Sequence, residues 1–435
     1  MNFRRIVKKF IPVNLFKKIE PYGHLLEAVL LNALHGFPLR GLKVIGVTGT
    51  NGKTTTSFLV HKMLTEAGFK PGLMSTVAYG VGDDIQPQIA HMTSVSVPML
   101  LKRVKIMKAQ GMDWLVLETT SHALAQHRVW GMPYSVAVMT NVTHEHLDYH
   151  GTFERYVEAK KMLFKQTNQN KKGLRVGVVN AEDPNARSFT AITTNSITYG
   201  RDRGDLQARQ IRLTPVGSQY VAVIEDDEYL INCHLPGSFN VSNSLAAVAV
   251  GRAIGLTRQQ IEDGIAALTA VEGRMTRIDE GQDFDVIVDF AHTPDSFEKL
   301  FKDIKPVVKG RLIVMFGSAG RRDEAKRAVQ GKLAGEFADE VIITEEDDRD
   351  IDGVEIMNQI ASGAEEAGKK PDQDLFLVHD RTEAINFSIQ RAKKGDTVLL
   401  LGKGHEKTIE RADGEYPWDE ISTAHTVLNT LLATR

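Results

Sequence analysis

The feature that most constrains this chain is a junction between two kinds of apolar pattern. The run LKVIGV breaks into the turn TGTNG and resumes as KTTTSFLVHKMLTEAG. A short continuous apolar run reads as a parallel strand buried on both faces. Gly49, Asn51 and Gly52 accept backbone angles that other residues avoid. In the segment that follows, Phe58, Leu59, Met63 and Leu64 fall on one side of a helix, which Gly68 ends. A helix start with free N–H groups binds phosphate. Lys53 is then expected to reach the outer phosphates of a nucleotide and Thr54 to hold a magnesium ion. The strict pattern G-x-x-x-x-G-K-[ST] is nevertheless not met, because Val47 stands where its first glycine belongs.

Strand, turn and helix then repeat. VIGVTG, WLVLETT, VAVMTN and RVGVVN alternate with helical segments, the rhythm of a parallel sheet. Between 210 and 235 the pattern becomes alternating, which predicts a small antiparallel patch at the sheet edge, followed by a helix at about 242–254. TAVEGRMTR at 269–277 reads as a linker. Five more strands are expected beyond it: DVIVDF, RLIVMFG, EVIITEE, LFLVHD and TVLLLGKG. The fold class is therefore α/β, and ligands in such sheets bind beyond the carboxyl ends of the strands.

Composition narrows the function. The 435 residues suffice for two or three domains. A net charge of −2 gives no global field for nucleic acid. The single cysteine, Cys233, excludes an internal disulfide and fits a reducing cytosol, so a cytoplasmic location is expected. No apolar run approaches a membrane span. The basic lead-in (Arg4, Arg5, Lys8, Lys9, Lys17, Lys18) lacks the apolar stretch of a signal peptide. It reads first as a solvated helix face and second as peripheral contact with an anionic membrane.

Two strand ends carry the chemistry. One is Glu118, followed by Thr119, Thr120, Ser121 and His122. The other is Thr140 and Asn141, followed by His144, Glu145, His146, Asp148 and His150. Glu118 and His146, facing the phosphate loop, make a magnesium site, although magnesium prefers oxygen. Lys160, in the helical YVEAKKMLF, reads from its residue type alone as solvated.

GVTGTNGKTTT, ETTSHALAQHRV, TNVTHEHLDYHGTFERYVEAKKMLF, LPGSFNVSNSLAA, VEGRM, VDFAHTPDSFEKL, FGSAGRRDEAKR and LLLGKGHEKT occur in that order. Together they resemble the Mur ligases, over residues 41–435, and most closely the branch adding the third residue of the peptidoglycan stem peptide. The resemblance implies a central P-loop parallel-sheet ATPase domain at 41–272 and a Rossmann-like doubly wound, amino-acid-binding domain at 273–435. Residues 1–40 are then a short helical segment in place of a substrate domain. It implies a cytoplasmic, monomeric ligase that couples a carboxylate to an amine with ATP, through an acyl phosphate. The substrates are a muramoyl peptide ending in L-alanyl-D-glutamate and a diamino acid.

Carried over by position, Gly49, Thr50, Asn51, Gly52, Lys53, Thr54 and Thr55 surround the phosphates. Glu118 shares the first magnesium with Thr54, and His146 binds a second. Lys160 matches a lysine that CO₂ converts to a carbamate, an anion able to meet that second ion. Asn240 and Asn243 match nucleotide contacts, Asn243 toward adenine. Arg274 approaches the phosphates, Asp289 the ribose and His292 the base, and Lys326 reaches the γ-phosphate. Thr93, Ser94, Thr120, Gln126 and Arg128 match contacts to the sugar peptide. Arg322, Asp347, Arg349, Gly402 and Glu406 match contacts to the added amino acid.

The sequence departs from the pattern in three places. Residues 1–40 are expected to be too short for the family's uridine-gripping domain. HMTSVSVP lacks the usual Thr-Thr-Pro run. Glu346, Asp347, Asp348 and Arg349 stand where diaminopimelate-adding members have Asp-Asn-Pro-Arg. The arginine favours a distal carboxylate and the added carboxylates favour a distal cation; meso-diaminopimelate has both. Two other readings are a folylpolyglutamate synthetase-like ligase and a nucleotide-binding subunit without catalysis. Intact Lys53, Glu118, His146, Lys160 and Lys326 argue against the second.

Overall fold

A computed structural model of the chain describes residues 13–88, 94–214 and 216–434. Thr93, Arg4, Arg5, Lys8 and Lys9 lie outside these residues. The strands of the first half are β1 (Lys43–Thr48), β2 (Pro71–Met74), β3 (Ala78–Val81), β4 (Asp84–Pro87), β5 (Trp114–Glu118) and β6 (Tyr134–Met139). They continue with β7 (Val176–Asn180), β8 (Asn195–Gly200), β9 (Leu206–Thr214), β10 (Gly217–Ile224) and β11 (Asp227–Cys233). All eleven join one sheet in the order β11-β10-β9-β8-β7-β6-β1-β5-β2-β3-β4. From β8 to β2 the neighbours run parallel. The alternating segment at 210–235 forms the antiparallel edge β9–β11, as expected.

β1 lies at the sheet's centre because both of its faces are apolar. Ile45 and Val47 enter one core with Leu59, Met63 and Val248, and Val44 enters the other with Leu115 and Tyr134. The helix after β1 (Lys53–Glu66) departs from the one-sided pattern, being buried continuously from Thr54 to His61. It packs on the sheet and against the helices Phe239–Ala253 and Arg258–Ala266. A Cβ on Gly264 would stand 2.5 Å from the Met63 backbone, which shows how closely they approach.

The second half is built on β12 (Thr276–Ile278), β13 (Asp285–Asp289), β14 (Leu312–Phe316), β15 (Glu340–Ile343), β16 (Leu375–Leu377) and β17 (Thr397–Leu401). Their order is β12-β13-β17-β14-β15-β16. All five strands expected from the sequence are present and mutually parallel. The short antiparallel β12 was not expected. Separate apolar cores cover the two faces of this sheet, so it is doubly wound. A hairpin of β18 (Thr408–Arg411) and β19 (Gly414–Pro417) follows β17. Among the described residues no helix is long and apolar enough to cross a membrane.

Candidate active site

β1, β5 and β6 are adjacent and parallel, so the polar residues after each converge on one end of the sheet. The loop after β1 is held mainly by residues that follow β6. Asn51 N donates to Asn141 Oδ1 at 2.9 Å, while Asn141 Nδ2 and Thr140 Oγ1 donate to Asn51 O at 3.0 and 2.6 Å. Thr50 Oγ1 lies 3.0 Å from the Tyr156 hydroxyl. Two glycines are required by space. Gly52 has φ 82°, and a Cβ there would come within 2.3 Å of Asn243 Oδ1. One on Gly49 would come within 1.8 Å of Thr140 Oγ1.

Thr54 stands in the first turn of the helix and its Oγ1 donates to Glu118 Oε2 at 3.0 Å, an oxygen that also accepts Thr76 N at 2.9 Å. Arg274, from the segment entering the second half, donates its Nη2 to Thr54 Oγ1 at 3.3 Å. Its guanidinium stacks over Phe290 at 4.6 Å. Burial lowers the Arg274 pKa, with Asp289, Glu118 and Glu406 opposing. The hydroxyl and carboxylate oxygens of Thr54 and Glu118, at a helix N-terminus, suit magnesium.

Glu145 bridges the two halves. Its carboxylate lies 3.7 Å from His146 Nε2 and 3.4 Å from His292 Nε2. Burial opposes its ionisation, but His146, His292 and Lys53 prevail and hold its pKa below the usual range. Burial lowers the His146 pKa, Glu145 opposes this, and Lys160 and Lys53 reinforce it. His146 also takes the left-handed φ of 57°, a strain that surrounding contacts must maintain.

Lys160 is 2 % exposed, so its reading as a solvated side chain is overturned. Tyr156, Leu163, Phe164 and Thr167 share its buried helix face, and that spacing was the available signal. Its Nζ donates to Gly49 O at 2.6 Å and lies 4.4 Å from the Tyr156 ring centre. Burial drives its pKa well below 10.5, assisted by Lys53 and opposed by Glu145 and Asp183.

The second half adds its own groups. Both Asp289 oxygens accept backbone amides, Oδ2 from Met275 at 2.7 Å and Oδ1 from Ala291 at 2.8 Å. Lys326 Nζ donates to His292 O at 3.1 Å. Asn51 Nδ2 crosses to Asp295 Oδ2 at 2.7 Å. Together the halves enclose a cavity of about 920 Å³. Thr50 to Thr55, Glu118, Thr120 and His146 line it from one side, and Arg274, Asp289, His292, Arg322 and Glu406 from the other. Asn243 also lines it, while donating to Asn240 Oδ1 at 2.8 Å.

Ser94, Gln126, Arg128, Asp347, Arg349 and Gly402 do not line this cavity. Ser94 Oγ is 3.2 Å from Thr120 Oγ1, and Arg128 donates to Ser94 O. Gln126 caps the short helix Ser121–Ala125. Asp347 and Glu406 flank buried Lys403, 2.8 and 2.6 Å from its Nζ. A Cβ on Gly402 would stand 2.7 Å from Glu346 Oε2. Arg349, at φ 58°, donates Nε to Glu410 Oε2 at 2.5 Å and Nη1 to Gly320 O at 2.7 Å. Sequence reasoning did not single out Lys403, Glu410, Tyr156 or Asp295, and Glu145 stood out only as a neighbour of His146.

Comparison with known proteins adds two family matches: the Mur ligase middle domain over residues 47–251 and the Mur ligase, glutamate ligase domain over 273–404. UDP-N-acetylmuramyl-tripeptide synthetase of Roseiflexus sp. (strain RS-1) is 39 % identical over 94 % of this chain and 83 % of its own length. UDP-N-acetylmuramoyl-L-alanyl-D-glutamate--2,6-diaminopimelate ligase of Geobacillus thermodenitrificans (strain NG80-2) is 37 % identical over 96 % and 85 %. A solved structure of a ligase with that second name superposes with a TM-score of 0.61 at 30 % identity, covering 90 % of this chain and 79 % of the other.

Proposed function

The chain belongs to the Mur ligase family, and from that premise we propose that it joins meso-diaminopimelate to UDP-N-acetylmuramoyl-L-alanyl-D-glutamate in peptidoglycan biosynthesis. It is an ATP-dependent ligase that forms ADP, and the family uses magnesium. The relatives' names favour this reading over a folylpolyglutamate synthetase-like ligase or a non-catalytic subunit. The reading takes residues 41–272 as the ATP-binding domain, 273–435 as the amino-acid-binding domain and 1–40 as a helical lead-in. It sets the enzyme in the cytoplasm, acting as a monomer.

The observation that carries it is the junction of Thr54, Glu118 and Arg274. There the phosphate-binding helix of one half meets an arginine belonging to the other. A substrate phosphate held there is surrounded before reaction, so little reorganisation is needed as charge develops. Lys53 neutralises the outer phosphates, and Asp289 takes the ribose hydroxyls. Asn243 and His292 bracket the base, and Lys326 reaches over from the second half. Thr54 and Glu118 are assigned to one magnesium ion, and His146 with a carbamate on Lys160 to another. Bound magnesium supplies charge neutralisation at the phosphates. The lowered Lys160 pKa supports the carbamate assignment, because CO₂ adds only to a neutral amine.

Thr93, Ser94, Thr120, Gln126 and Arg128 are assigned to the muramoyl peptide. Arg322, Asp347, Arg349, Gly402 and Glu406 are assigned to diaminopimelate. The test is ADP release and product mass with the uridine-linked dipeptide plus meso-diaminopimelate or L-lysine. ADP formation that requires both the dipeptide and diaminopimelate is expected. ADP formation independent of the dipeptide, or a preference for lysine, defeats the assignment.

A further inference from the structure

From Tyr22 to Leu34, the helix Val13–Leu34 carries an apolar outer face. Its inner face sets His24, Ala28 and Asn32 against the first half, all three buried. Tyr22, Leu26, Leu30 and Leu34 lie two residues out of phase and therefore on the opposite side. They are 72, 61, 52 and 79 % exposed. Gly23 and Ala33 are the other exposed helical residues from Tyr22 onward, and Glu27, 3.7 Å from His24 Nδ1, stands at the edge of this face. The stripe runs about 18 Å at 1.5 Å per residue. Single exposed leucines need no explanation, but a continuous apolar face does.

The neighbouring surface supplies the sign of the partner. Lys105 Nζ lies 3.1 Å from His35 Nδ1, and Lys108 Nζ donates to Pro38 O at 3.0 Å. These contacts bring the helix Val97–Ala109 beside the end of the apolar helix. Its sequence VPMLLKRVKIMKA holds four cations and no acid. Lys102, Lys105 and Lys108 are exposed together with the apolar Met99 and Ile106. In sequence, the first 34 residues hold six lysines and arginines against Glu20 and Glu27. Over the whole chain the net charge is −2, so this concentration of cations is local.

We propose that this face is an interfacial membrane-docking surface for an anionic lipid bilayer. Tyr22, Leu26, Leu30 and Leu34 would enter the headgroup boundary while Lys102, Lys105 and Lys108 meet lipid phosphates. Apolar burial combined with cation–lipid attraction is the physics of helices that lie in a membrane interface without spanning it. The inference stands apart from the ligase reading, because none of these residues lines the ATP cavity.

The experiment sediments the full-length chain with phosphatidylcholine vesicles, with and without phosphatidylglycerol, at low and high salt. Three forms are compared: wild type, Leu26→Ser/Leu30→Ser and Lys102→Glu/Lys105→Glu. Sedimentation ultracentrifugation of each form without lipid reports its oligomeric state. Wild type should bind only the anionic vesicles and detach in salt, and each double variant should bind more than about 10-fold more weakly. Both variants should remain folded monomers by ultracentrifugation and circular dichroism. Three results overturn the proposal: no binding by wild type to either vesicle, binding unchanged in both variants, or a wild-type dimer that Leu26→Ser/Leu30→Ser dissociates. The last would show that a second copy covers the face.

Discussion

Lys160 Nζ sits 2.6 Å from the carbonyl oxygen of Gly49, so a buried amine and the phosphate loop share one hydrogen bond. The contact joins the helix Phe153–Gln169 to the turn after β1 across 111 residues of sequence. Two consequences are separable: a positioning effect on the loop and the chemistry of the amine itself.

Lys160→Ala is expected to reduce kcat by more than about 100-fold, a loss beyond what one neutral hydrogen bond supplies. If the amine works as a carbamate, acetate should restore part of the rate to the variant. Wild-type activity should fall when bicarbonate and CO₂ are stripped from the buffer, and the acetate-rescued variant should be indifferent. Near-normal turnover by Lys160→Ala removes the residue from the chemistry. Loss without rescue, accompanied by a lower melting temperature, assigns it to the loop alone.

Arg349 is paired with Glu410. Because Gly320 O also holds the guanidinium, Glu410→Gln should leave it oriented while removing a negative charge. The expected outcome is a several-fold lower KM for meso-diaminopimelate and little change for L-lysine. Arg349→Ala should cost about 2 kcal/mol or more, roughly 30-fold, for diaminopimelate alone. Equal effects on both amino acids would take Arg349 out of distal-carboxylate recognition.

Most of the strands that were legible in the sequence are buried on both faces and so carry a continuous apolar run; the antiparallel edge β9–β11 was legible from alternation instead. β1, β5, β6 and β7 of the first half, and β14, β15 and β17 of the second, announce themselves this way, whereas β13 and the edge strand β16 carry apolar runs while only partly buried. β2 to β4 did not. PGLM begins on a proline and contains a glycine, and the edge residues of DIQP are all exposed. The hairpin TIER–GEYP is as polar as a loop and is defined by pairing alone.

The candidate site divides along a similar line. Residues at strand ends, such as Glu118 and His146, were readable because topology carries them to one edge. Lys160 was misread from its residue type, although Tyr156 and Leu163 at helical spacing put it on the inner face. The Glu145–His292 contact and the Asn51–Asp295 contact join residues of different halves. No local pattern encodes the distance between halves, so these contacts needed three dimensions.

His61 is buried with Nε2 3.1 Å from Pro71 O. Burial pushes its pKa down to about 4 from 6.5, against the smaller raising effects of Pro71 O and Asp83. Below pH 6.5 the unfolded chain gains a proton that the folded chain refuses. This contribution to stability is therefore fully present above pH 6.5 and is lost as pH falls toward 4, at about 1.4 kcal/mol per pH unit. His122, pushed down to about 3 mainly by burial, acts in the same direction. Urea unfolding of His61→Gln, which can still donate to Pro71 O, should show a shallower loss of stability across that window. A slope equal to wild type would mean that His61 protonates in the folded state.

Asn51 offers a way to loosen the two halves without disturbing the phosphate loop. Its backbone is fixed independently by Asn141 and Thr140, while its side chain alone reaches Asp295 at 2.7 Å. Asp295 stands in the first turn of the helix Pro294–Ile304, whose buried Phe297, Leu300 and Phe301 anchor it to the second sheet's core. Its carboxylate also accepts Lys299 Nζ at 2.9 Å, so removing Asn51 leaves it partnered and the penalty is limited. Asn51→Ala and Asp295→Ala should each lower kcat/KM for ATP. The double variant should lose less than the sum, with a coupling of about 1 kcal/mol, because either substitution already breaks the contact. Asn51→Asp should be worse than Asn51→Ala, since it sets two carboxylates against each other. Strict additivity in the cycle, with Asn51→Asp no worse than Asn51→Ala, would show that this contact is absent when ATP is turned over.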